Sequence, residues 1–139
     1  MATVELLLSP HPMHVRTARL VGVAAARRAG LAHELLDELR LALGEACSRA
    51  VGLHGLHAPD VPVRVLLRDD QTSLTVEVVD VGPESGPVSE DVEDLFGQEE
   101  LDPRVSLAVL AGLVDDITIT PSPTGTTVTL RWPLVPTLA

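Results

Sequence analysis

Two helical segments follow one another directly in this chain, between a first strand and a strand pair. That order excludes most arrangements built on regular strand–helix alternation. From Met13 to Ala29 the sequence has no proline, is rich in alanine, and runs into Gly30, a glycine stop. From Leu31 to about Leu53 a second helix is predicted. Leu35, Leu39, Ala42, Ala46 and Ala50 recur at three- and four-residue spacing and form its core stripe, and "HGLHAPD" breaks it. Before the pair, "TVELLL" (3–8) reads as a strand bounded by "SPHP". After it, "VPVRVLLR" (61–68) and "SLTVEVVD" (73–80) flank the polar turn "DDQT" as a hairpin. A third helix is predicted over 104–116, then "ITIT" (117–120) and "TTVTLRW" (126–132) as a hairpin around "PSPTG". The order β-α-α-β-β-loop-α-β-β argues against a doubly wound parallel sheet. It predicts an α+β fold: a two-layer sandwich of a mixed, mostly antiparallel sheet with about three helices on one face. No repeat or linker divides the chain, so residues 1–139 are expected to form one domain, long enough to bury a core.

Composition narrows the functional classes. The formal charge is −10, which argues against nucleic acid and anionic membranes, since both need a basic footprint. Phe96 and Trp132 are the only aromatic residues, so platforms for stacking bases are absent. No stretch approaches the roughly 18–20 apolar residues of a membrane span. "MATVELLLSP" contains Glu5 and no basic lead, so a signal peptide is not expected. The single cysteine, Cys47, allows no internal disulfide and suits a reducing cytoplasm. It is expected to be a small buried thiol rather than a nucleophile. Arg16, Arg19, Arg27 and Arg28 of the first helix are read as solvated.

Residues 82–102 differ from their surroundings. Glu84, Glu90, Asp91, Glu93, Asp94, Glu99, Glu100 and Asp102 give eight acids with no basic residue. Such density resists compaction, and the segment is expected to be a mobile, lid-like loop or short exposed helix. Phe96 is its lone aromatic ring, either a partner anchor or a core contact. In "HGLH", His54 and His57 with Asp60 offer at most three metal ligands and no second cluster, so they are read as surface or capping histidines, and no metal site is assigned.

The stretch "LRLALGEACSRAV" resembles the helix of GHKL-type (histidine-kinase-like) ATPase domains, in the branch of bacterial anti-sigma-factor serine kinases. "VEVVDVGPES" resembles the first glycine box of that family, and "LDPRVSLAVLAGLVDDITIT" with "TGTTVTLRW" resembles the second glycine box, its helix and the closing hairpin. The resemblance covers nearly the whole chain in order. It implies a helix glutamate as base, an asparagine one turn later holding Mg²⁺, a strand-end aspartate accepting from the adenine amino group, and glycines admitting phosphate. On these positions Glu45 matches the base, and Asp80 and Gly82 match the first box.

Other positions depart from the pattern. Arg49 stands at the asparagine position, and a guanidinium has donors only and cannot ligate Mg²⁺. Glu84 replaces the second glycine of the first box. Asp102, Arg104 and Ser106 stand where the second box has glycines. Three readings of Arg49 stay open: with Arg104 it binds phosphate in place of the metal, it pairs with Glu45 at i, i+4, or it reaches Asp80 and fills an emptied pocket.

The resemblance, with these departures, implies a cytoplasmic regulator of transcription that binds a sigma factor, a STAS-type antagonist, or both in partner switching. ATP binding and kinase activity are expected to be lost or impaired, leaving a pseudokinase with no cofactor. ATP and Mg²⁺ are implied only if the pocket functions. The alternative is an active serine kinase that phosphorylates the antagonist. Glu90, Asp91, Glu93, Asp94 and Phe96 are the candidate partner-binding residues, and a homodimer is compatible with the family.

Overall fold

A computed structural model describes residues 2–82 and 103–134, with residues 103–106 as backbone alone. Strand β1 (Ala2–Leu8) leads into helix α1 (Met13–Ala29). Gly30, at φ 91°, ends α1, and its N–H reaches back to Ala26 and Arg27 carbonyls. A short 3₁₀ turn (His33–Leu35) precedes helix α2 (Leu36–His57). Strands β2 (Val63–Asp69) and β3 (Ser73–Asp80) follow. Helix α3 (Pro103–Leu113), β4 (Asp116–Ser122) and β5 (Gly125–Pro133) complete the described chain.

The α+β class expected from the element order is the one observed, with two differences. First, the five-stranded sheet, ordered β1-β2-β3-β5-β4, is antiparallel at every pairing rather than mixed. The reason is geometric. A pair of helices carries the chain down and back, so β2 starts opposite the end of β1, Leu8 against Val63. Strands β3 and β4 do run the same way. However, β5 lies between them, antiparallel to both, and removes the parallel contact.

Second, α2 begins after the 3₁₀ turn and runs on through "HGLH" to His57, past the expected break. Leu53 and His54 are buried and hold this last turn against the core. The helix stops only at Ala58, the residue before Pro59, where the α conformation is disfavoured.

The helices cover one face of the sheet. Val63, Val65 and Leu67, then Leu74, Val76 and Val78, then Val128, Leu130 and Trp132 alternate inward along β2, β3 and β5. They meet Val15, Ala18 and Ala26 of α1, Leu39, Leu43, Ala46 and Ala50 of α2, and Leu110 of α3. The expected stripe Leu39, Ala42, Ala46 and Ala50 is fully buried, while Leu35 lies half-buried in the 3₁₀ turn. Helices α1 and α2 approach closely at Gly22, where any β-carbon would collide with Leu43.

The opposite face of the sheet carries the ion pairs Arg64–Glu5 and Arg68–Glu77, both at 3.3 Å, on partly exposed side chains worth little in stability. Among the described residues no helix is long and apolar enough to cross a membrane.

Candidate functional site

Strand β3 alternates inward at Leu74, Val76 and Val78, and the same period turns Asp80, its last residue, toward the helices. Arg49 lies on the face of α2 packed over that strand. Its Nη1 donates to Asp80 Oδ2 at 2.7 Å, and the two side chains are only 3% and 1% exposed. The second carboxylate oxygen, Oδ1, accepts the N–H of Gly82 at 3.1 Å. Both oxygens of Asp80 are therefore engaged within the chain.

Of the three readings of Arg49, the contact observed among the described residues is the pair with Asp80. Glu45 sits one helical turn before Arg49, yet no ion pair joins them. Two polar atoms remain buried without a hydrogen-bond partner among the described residues: Glu45 Oε1 and Arg49 Nε. One is an acceptor and the other a donor, on neighbouring turns of α2. Arg49 offers no lone pair to a cation, so the residue at the expected metal position fits Mg²⁺ poorly on donor chemistry alone.

Sequence reasoning missed three further features, two beside Asp80 and one, at Trp132, at the other end of β3 opposite Leu74. His54 is completely buried. Its Nδ1 lies 2.7 Å from the Val61 carbonyl oxygen, and the Val81 N–H donates to its Nε2 at 2.9 Å. The pattern requires the neutral tautomer with hydrogen on Nδ1. His54 is thus neither a surface nor a capping histidine. It ties the end of α2 to the chain leaving β3, and neither ring nitrogen keeps a lone pair for a metal. His57 is exposed. Among the described residues no group of three His, Cys, Asp or Glu side chains is placed to hold a metal ion.

Gly125, at φ 152°, opens β5 against the Asp80 carbonyl, where a β-carbon would collide. Its neighbour Thr126 is buried and pairs across the strands with Asp80. Finally, Trp132 Nε1 donates to Glu38 Oε2 at 2.6 Å, linking the end of β5 to α2 seven residues before Glu45. The spacing Glu38–Glu45 was the available signal, since seven residues return to the same helix face.

Cys47 is fully buried, and burial pushes its thiol up to about 12 despite the opposing effect of Arg19. The Arg19 guanidinium lies over Gly44, whose missing side chain makes room for it. Arg16, Arg19, Arg27 and Arg28 are exposed, as expected. Arg104 and Ser106 fall on the first turn of α3, and their side chains lie outside the described residues. Glu84, Glu90, Asp91, Glu93, Asp94, Phe96 and Asp102, with the rest of the acidic segment after Gly82, also lie outside them.

Comparison with known proteins assigns the fold and the family. Residues 8–132 match the family described as histidine kinase-like ATPase domain. The catalytic domain of the histidine kinase ThkA, in a nucleotide-free form, superposes with a TM-score of 0.50. It is 14% identical, with 98% of this chain and 99% of that one covered, a level that speaks to fold alone. Among curated proteins no sequence matches this chain. With most of its length inside the matched region, the chain belongs to the histidine kinase-like ATPase domain family.

Proposed function

We propose that this protein is a binding regulator of the anti-sigma-factor type in which the nucleotide pocket has been closed from within. One observation carries the reading. The carboxylate that the family resemblance gives to the adenine amino group is instead held by Arg49, at 2.7 Å and out of contact with water. The guanidinium supplies the N–H that a base would have supplied, and it does so from the position expected to hold Mg²⁺. A nucleotide would have to displace the guanidinium from a buried ion pair before it could bind, leaving Arg49 buried without its counter-charge.

With catalysis reduced, function rests on protein partners: a sigma factor, a STAS-type antagonist, or both in competition. The acidic segment, through Glu90, Asp91, Glu93 and Asp94, would steer a basic partner surface. Neutralising those four residues is expected to slow association at low salt, and an unchanged on-rate would remove that element of the proposal.

A second reading, an active serine kinase, is favoured by the unpartnered Oε1 of Glu45, which leaves a carboxylate oxygen available at the base position. Calorimetric titration with ATP and ADP, with and without Mg²⁺, separates the two. The closed pocket predicts no heat and no thermal stabilisation at millimolar nucleotide. Micromolar, Mg²⁺-dependent binding would overturn it. Phosphate transfer to an antagonist serine, abolished in Glu45→Gln, would establish the kinase.

A further inference from the structure

At the end of the sheet remote from Asp80, the C-terminal half of α1, the starts of β1 and β3 and the end of β2 line a half-open cavity of about 210 Å³. Its walls are apolar, from Val4, Val21, Ala25, Leu67 and Leu74. Two charged residues complete the lining: Arg28 from the last turn of α1 and Asp69 from the end of β2. They are not paired with each other, and Arg28 has no ion-pair or side-chain hydrogen-bond partner among the described residues. Asp69 Oδ1 accepts the Ala2 N–H at 3.3 Å, which fixes the carboxylate and leaves Oδ2 free among those residues.

An apolar cavity edged by one unpaired cation and one anchored anion matches a zwitterion with an apolar tail. We propose that this cavity binds a free aliphatic α-amino acid of valine or leucine size. Its carboxylate would meet Arg28, its ammonium Asp69 Oδ2, and its side chain the apolar wall. Size supports the assignment, since a dry cavity of roughly 150 Å³ already accepts benzene, a larger group than the isobutyl side chain of leucine. Opposite charges at the rim of the cavity select against simpler ligands: a fatty acid leaves Asp69 unmatched and an alkylamine leaves Arg28 unmatched. The ligand would bridge α1 to three strands, and so stabilise the fold at a site independent of nucleotide.

The test is titration of the full chain with L-leucine, followed by calorimetry and by thermal stability. Isocaproate, lacking the ammonium, and isoamylamine, lacking the carboxylate, are the comparison ligands. Leucine is expected to saturate and raise the Tm, with each comparison ligand weaker by about tenfold or more, the usual loss for a charged hydrogen bond. Arg28→Gln and Asp69→Asn are expected to weaken leucine by a similar factor. Asparagine keeps an acceptor for the Ala2 N–H, so the second variant should retain its fold. Absence of saturation at about 20 mM leucine, several-fold above the millimolar range where small ligands bind weakly, would overturn the proposal. So would isocaproate binding equal to leucine, or full leucine affinity in both variants.

Discussion

Arg49 and Asp80 are 31 residues apart in sequence and 2.7 Å apart in the fold, and both are sealed from water. Replacing such a pair by apolar groups is often nearly neutral, whereas removing one partner leaves a bare charge. Arg49→Met and Asp80→Leu should therefore each lose about 3–5 kcal/mol in urea unfolding, and the double variant should lose much less than their sum. Additive losses would mean that the two residues do not act as a pair.

His54 joins two backbone groups that have no other hydrogen bond among the described residues, the Val61 carbonyl and the Val81 N–H. His54→Phe keeps a ring of similar size and leaves both groups unsatisfied, at about 1–3 kcal/mol each if they stay buried. Amide exchange at Val81 should accelerate more than at Val76, in the middle of β3. Equal acceleration at both would indicate global destabilisation rather than release of the strand exit.

Trp132 is the only tryptophan, so its fluorescence reports one place, the contact with Glu38. Glu38→Gln turns a charge-assisted bond into a neutral one and should cost on the order of 1 kcal/mol, with a shift in native emission. An unchanged native spectrum would argue against the contact.

Cys47 is fully buried with its thiol pushed up to about 12, so the thiolate is disfavoured in the folded state. A folded pKa raised above the unfolded one, near 8.5–9, gives a contribution fully present below about 8.5 and lost progressively as pH rises from there toward about 12. Iodoacetamide at pH 8 should leave the native thiol unmodified and react on addition of denaturant. Rapid native alkylation would mean that this face of α2 opens.

Asp70 caps the β2–β3 turn. Its Oδ1 accepts the N–H groups of Thr72 and Ser73, each at 2.7 Å. Those bonds, led by the Thr72 N–H, lower its pKa to about 2. The contribution is present above the ordinary aspartate range and is lost as pH falls from about 4 toward 2. Asp70→Ala should therefore be less stable than the parent at pH 6, with the gap narrowing at pH 2–3. A gap independent of pH would place its cause elsewhere.

Much of the architecture was legible locally. Gly30 stops α1 through a positive φ that favours glycine, and the inward period of "SLTVEVVD" fixes which residues of β3 face the helices. Both depend on neighbours a few positions away. The fully antiparallel sheet was not legible, because it depends on where β5 inserts, a contact between segments far apart in sequence. The extension of α2 through "HGLH" was missed for a related reason: one glycine and two histidines look like a break until burial of His54 offsets their poor helix propensity.

For the site, the sequence by itself determined which chemistry was present: a carboxylate at Glu45, a guanidinium at Arg49, a carboxylate at Asp80. Only the tertiary structure decided the pairing. On an isolated helix Glu45 is the natural i, i+4 partner of Arg49, and that contact contributes only about 0.3–0.5 kcal/mol in water. Packing α2 over β3 buries Arg49 beside Asp80, where leaving either charge uncompensated costs several kcal/mol. The larger energy wins, and it exists only once the two segments have been brought together and water has been excluded.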